Sequence, residues 1–156
     1  MNFEEILNVL PYKSSFRFVD KILSLNENGV IGEYTLQQDS FFYQDHFVGN
    51  PITPGVILTE IMAQIGLVVL GIYVIVKKDN NTDINEDGLL FPLLTSTEVS
   101  FFKMVLPGDL VKVTSKKEYF RFGKLKCYVE MLNTSNELIA RGTFSGIIKK
   151  VKQKND

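Results

Sequence analysis

One histidine, His46, stands in a loop punctuated by glycine and proline: Gly49-Asn50-Pro51, then Pro54-Gly55. The loop runs into a long apolar stretch, Val56 to Val76, interrupted early by one carboxylate, Glu60. A neutral imidazole can accept a proton near neutral pH. A carboxyl between Ile57, Leu58, Ile61 and Met62 is raised in pKa by desolvation and can hold a proton to give away. Left ionised and unpaired, it would be costly there. Each residue also has an ordinary reading, a hydrogen-bonded loop histidine and a solvated helix glutamate. Together they form a candidate base and acid.

A third group comes from the backbone. A helix that begins at Pro54-Gly55 has first-turn N–H groups with no partner, and Gly55 lets a ligand approach closely. Such a donor can polarise a carbonyl and hold developing enolate charge. Base, acid and N–H donor around one cavity are the parts for removing water from a 3-hydroxyacyl thioester. His46 would take the α-proton, and Glu60 would protonate the departing hydroxyl.

The elements that position these groups follow from patterning. Phe3, Ile6, Leu7 and Leu10 have the spacing of a short amphipathic helix stopped by Pro11. A strand from Phe16 to Leu25, a turn at Asn26–Gly29 and a strand from Val30 to Leu36 make a predicted hairpin. The long helix is expected over Pro54 to Val76, with Glu60, Ala63, Gln64, Leu67 and Gly71 on one narrow, smaller and more polar stripe. Residues 79–88 read as a mobile polar loop. A meander follows, with strands at Leu89–Leu94, Thr97–Met104, Leu110–Phe120, Lys124–Asn133 and Leu138–Ile148, before a basic tail over 149–156. One apolar helix and several half-buried strands predict an α+β fold, a curved antiparallel sheet wrapped around one long central helix as a single domain over 1–156.

Composition limits the function classes. With 156 residues, 45% hydrophobic, 22% charged and a formal net charge of −1, the chain reads as soluble and globular, not as a nucleic-acid binder. The single cysteine, Cys127, cannot build a disulfide framework or a cysteine-rich metal site. No metal cluster, phosphate loop or nucleotide fingerprint occurs, so no cofactor is expected. The acidic start, Met1 to Tyr12, lacks the marks of a secretory signal, which makes the cytoplasm the default. Gly55 to Val76 is long enough to cross a bilayer, but Pro54, Glu60 and Gln64 disfavour spanning, and no membrane role is expected.

The segment from Phe41 to Gln64 resembles the signature of the 3-hydroxyacyl-(acyl-carrier-protein) dehydratases, enzymes of fatty acid synthesis with the hot-dog fold. The shared pattern is an aromatic pair, Phe41-Phe42; then His46-Phe47, Gly49-Asn50-Pro51 and Pro54-Gly55-Val56; then Glu60 with Ala63-Gln64. Leu10-Pro11, Phe18-Val19-Asp20, Phe101-Phe102-Lys103 and Val105 to Asp109 extend the likeness, which covers Leu10 to Ile148. The resemblance implies a dimer, possibly arranged as a trimer of dimers, with two sites at the interface. Each site would pair His46 of one subunit with Glu60 of the other. The Gly55 N–H would polarise the thioester carbonyl, and Phe47, Val56 and Gln64 would also line the substrate site. The implied partner is an acyl carrier protein.

Two departures stand out. Where the family reads Leu-Pro-His-Arg-x-Pro-Phe, this chain has Tyr12 for the histidine and Ser15 for the second proline. Val48 replaces a proline after His-Phe, which leaves the loop either looser or held by other contacts. These changes bear on the pathway, housekeeping fatty acids or a specialised acyl or polyene chain, more than on the reaction. Lys116, Lys117, Arg121, Lys124 and Lys126 form a basic cluster that could receive an acidic carrier. The competing readings are a hot-dog thioesterase and a non-catalytic acyl-binding subunit.

Overall fold

The computed structural model describes residues 2–79 and 89–151. A short helix, α1 (Phe3–Asn8), begins with a capping box in which Asn2 and Glu5 satisfy each other's backbone N–H groups. A 3₁₀ turn over Ser14–Phe16 follows, then β1 (Lys21–Asn26) and β2 (Gly29–Thr35). The expected first strand thus starts five residues late. The reason is a long-range bond: the Phe18 N–H donates to Gln64 Oε1 at 2.8 Å, and the Phe16 carbonyl accepts from Gln64 Nε2 at 2.9 Å. Backbone groups engaged by a helix side chain cannot also serve a strand ladder.

The central helix is continuous in three parts: α2 (Gly55–Ala63), a π-helical segment over Gln64–Val69, and α3 (Leu70–Asp79). An uninterrupted α-helix was expected, so the wider turn is a difference. At the π segment the Gly66 carbonyl accepts a bond from Ser115 Oγ at 2.7 Å. A Cβ at Gly66 would lie 2.9 Å from both Val129 methyls, so glycine there lets helix and sheet approach closely. The loop expected over 79–88 lies outside the described residues, apart from Asp79, which ends α3.

Four strands complete the sheet: β3 (Leu89–Phe101), β4 (Leu110–Arg121), β5 (Lys124–Leu132) and β6 (Leu138–Val151). The two runs expected on either side of Thr95 form one strand with a register shift between Leu94 and Ser96. Lys149 and Lys150 belong to β6, paired with Phe91 and Leu90, so the expected basic tail is in part a strand. The rest of that tail, 152–156, lies outside the described residues. All pairings are antiparallel, in the order β1-β2-β4-β5-β6-β3. This corrects the simple meander: β3 joins β6 and forms the sheet edge.

Burial alternates with period two along β5, which turns Leu125, Cys127, Val129 and Met131 onto the helix. Opposite them Ile61, Met62, Ile65 and Ile72 are fully buried in the same hydrophobic cluster. The helix over Gly55–Lys78 is long and apolar enough to cross a membrane, yet 78% of its most apolar stretch is buried within the protein. Most of its apolar surface is thus covered within the fold.

Candidate active site

The loop before the helix is held by short bonds, not by the missing proline. Phe47 and Asn50 exchange reciprocal backbone bonds at 3.0 Å around Gly49, whose φ of 69° suits glycine. The Ile52 N–H donates to the His46 carbonyl at 2.9 Å, and the Tyr43 and Thr53 hydroxyls share a buried bond of 2.6 Å. Thr53 N–H ties the loop to Val105 O at 2.9 Å. Val48 is 90% exposed and takes no part in this bracing.

The bracing orients His46. Its Nδ1 lies 2.8 Å from the Ile52 carbonyl oxygen, and because a carbonyl can only accept, Nδ1 carries the proton. In the neutral ring Nε2 then keeps its lone pair and is the basic atom. The ring stacks on Phe47, with centroids 3.9 Å apart.

At the start of α2 the Ile57 and Leu58 N–H groups both reach the Pro54 carbonyl, while those of Gly55 and Val56 have no acceptor among the described residues. Gly55 opens onto a shallow groove with Leu58, Phe101, Phe102 and Met104. Phe47 and Val56 are likewise exposed, at 53% and 77%.

Glu60 faces elsewhere. It lines a pocket between the N-terminal half of the central helix and the sheet, with Leu67 and Val68 on the helix side and Leu93, Leu125 and Ile148 opposite. Burial raises its carboxyl pKa, and the hydrogen bond from Gln64 Nε2 to Oε1, 2.8 Å long, opposes that rise only in part. Of the expected stripe, Glu60, Ala63 and Leu67 line this pocket. Gln64 does not: it is fully buried, and its amide is committed to Phe16, Phe18 and Glu60. Within the chain, Gln64, expected at the substrate site, hydrogen-bonds the acid through its amide.

No hydrogen bond or ion pair joins His46 to Glu60 within the chain, and the groove at Gly55 and the pocket at Glu60 have separate linings. The sequence reading did not assign a role to Tyr12, which shares the Glu60 pocket. The available signal was its place directly after Pro11, where the resemblance carries histidine. Among the described residues no group of His, Cys, Asp or Glu converges as a metal site.

A family model described as a FabA-like domain matches residues 10–139. The 3-hydroxyacyl-(acyl-carrier-protein) dehydratase FabZ of Petrotoga mobilis is 38% identical over 111 residues, covering 70% of each chain. Its namesake from Chlamydia trachomatis serovar L2 is 30% identical over 152 residues, covering 96% of this chain and 94% of that one. Among solved structures, the dehydratase heterocomplex ApeI:P from Xenorhabdus doucetiae superposes with a TM-score of 0.70 at 13% identity, covering 96% of this chain and 91% of that one. The thioesterase HI1161 from Haemophilus influenzae gives 0.67 at 9% identity, covering 100% and 96%. At such identities these structures speak to the fold alone.

Proposed function

We propose that this chain, which belongs to the FabA-like family, is a 3-hydroxyacyl-(acyl-carrier-protein) dehydratase in fatty acid or related acyl-chain synthesis. The observation that carries its mechanism is the bond from His46 Nδ1 to the Ile52 carbonyl, which leaves Nε2 as a base. His46 Nε2 removes the α-proton of the thioester while the unpaired N–H at Gly55 holds the carbonyl oxygen, where enolate charge develops. Those electrons form the double bond, and the bond from Cβ to oxygen breaks. The leaving oxygen takes the proton from the Glu60 carboxyl and departs as water. Afterwards His46 holds one proton more and Glu60 one fewer, and exchange with solvent resets both.

Each site combines His46 of one protomer with Glu60 of its partner. Three features support this reading. His46 and Glu60 share no hydrogen bond or ion pair within the chain; Phe101, Phe102 and Met104, all exposed, line an apolar groove at Gly55; and β3, a thirteen-residue edge strand, is open to pairing. The protein works as one domain in the cytoplasm and receives its substrate from an acidic acyl carrier protein at the basic β4–β5 hairpin.

The test is enoyl formation from 3-hydroxyacyl carrier substrates, with His46→Ala and Glu60→Gln as controls. Each substitution is expected to lower turnover at least about a hundredfold, the usual worth of a positioned acid or base, with the dimer intact. Undiminished turnover in either variant refutes the role assigned to that residue. Release of a free thiol in place of an enoyl product would establish thioesterase chemistry instead.

A further inference from the structure

The pocket beside Glu60 is apolar on nearly every side. Its lining includes one polar side chain besides Glu60, that of Tyr12. The Tyr12 ring packs on the core and lies 6.4 Å, centroid to centroid, from Phe16. Its hydroxyl has no hydrogen-bond partner among the described residues, where every enclosed side-chain nitrogen or oxygen atom has one. The hydroxyl therefore reaches open space. A few convergent polar groups in an otherwise apolar pocket are the usual means of orienting a ligand.

The relation between the two polar groups specifies the ligand atom. Burial, and secondarily the nearby Glu60 carboxylate, raise the Tyr12 pKa, so the phenol stays protonated and remains a donor across the working pH range. Both groups line one pocket and no hydrogen bond joins them, which leaves each open to a ligand oxygen. On the carboxyl, Oε1 is engaged by Gln64 Nε2 while Oε2 has no partner among the described residues. One oxygen atom that accepts from both Tyr12 and a protonated Oε2 completes the set.

We propose that Tyr12 is a further catalytic residue, whose O–H donates to the 3-hydroxyl oxygen of the substrate and holds it against the Glu60 carboxyl. This rests on the dehydratase reading above. During elimination the electron pair of the breaking bond from Cβ to oxygen collects on that oxygen, which takes the Glu60 proton. The Tyr12 O–H bond stays intact and supplies only a hydrogen bond to the departing water. Without the phenol, the hydroxyl would rest on Glu60 alone.

Tyr12→Phe removes one oxygen and leaves the ring. Turnover of a 3-hydroxyacyl carrier substrate is expected to fall about 10- to 100-fold, somewhat less than for loss of an oxyanion donor, with the melting temperature unchanged. Tyr12→His, which restores a donor, is expected to recover most of the rate. A second readout does not need turnover. In a Glu60→Gln background, Tyr12→Phe should weaken binding of a 3-hydroxyacyl thioester about 3- to 10-fold, the worth of one net hydrogen bond, and leave a saturated acyl thioester unaffected. A Tyr12→Phe variant within twofold of the parent, a histidine variant no better than phenylalanine, or equal weakening of both thioesters would overturn the proposal. If Glu60→Gln itself keeps full activity, the underlying site assignment fails, and the role of Tyr12 falls with it. If Glu60→Gln is inactive while Tyr12→Phe is not, the Tyr12 role alone is wrong.

Discussion

Replacing Gln64 with leucine tests how the acid is held. Leucine has a similar size and helix propensity, so the main change is loss of the amide. Three bonds disappear: to the Phe18 N–H at 2.8 Å, to the Phe16 carbonyl at 2.9 Å and to Glu60 Oε1 at 2.8 Å. They do not weigh equally. Phe18 is 2% exposed, so its N–H is left buried and unpaired, at a cost of about 1–3 kcal/mol. Phe16 is 41% exposed, and water can replace its lost donor. Taking about 2 kcal/mol for the sum, and about 2–4 °C per kcal/mol at this chain length, melting should fall by about 4–8 °C. The chemistry shifts as well. The amide donor lowers the Glu60 pKa against the upward pull of burial, so its removal leaves burial less opposed. Calorimetry reads the first effect, and carboxyl-labelled NMR of Glu60 reads the second, as titration at higher pH than in the parent. An unchanged melting temperature, or a Glu60 that titrates at lower pH in Gln64→Leu, would refute the idea that this amide braces and tunes the acid.

Two further outcomes follow from the electrostatics. Because burial raises the folded-state pKa of Glu60, its contribution to stability is fully present below the unfolded carboxyl value and is lost as pH rises through the folded value. Denaturant titrations of Glu60→Gln against the parent across that window should show a shallower decline with pH, and identical slopes would contradict a desolvated carboxyl. On the β4–β5 hairpin, Lys126 is offset by Glu118 at 3.4 Å, whereas Lys116 and Arg121 are exposed without an acidic partner among the described residues. Reversing both charges should slow turnover of carrier-linked substrate about 3- to 10-fold more than that of a small thioester, and equal losses would remove the hairpin as the docking surface.

The sequence by itself determined the local features. Pro54-Gly55 starts the helix, the apolar run makes it a core element, alternation marks β4 to β6, and the spacing from His46 to Glu60 carries the resemblance that membership in the FabA-like family bears out. Each of these depends on neighbours in the chain or on a period of 2 or about 3.6 residues, which a string of residue types displays directly. Period says which face is buried but not what covers it. Tertiary structure alone decided that β3 crosses to the far side of β6, that Phe16 to Asp20 stays out of the sheet, and that Gln64 braces Glu60 from within the core. The same holds for Tyr12, a departure in sequence that becomes a pocket residue only when Pro11 delivers it beside Glu60. These outcomes turn on partners distant in the sequence, as in the pairing of β3 with β6 and the bonds from Gln64 to Phe18 and Phe16, 46 and 48 positions away. Their energies depend on desolvation and packing in the assembled core, and no local pattern encodes either.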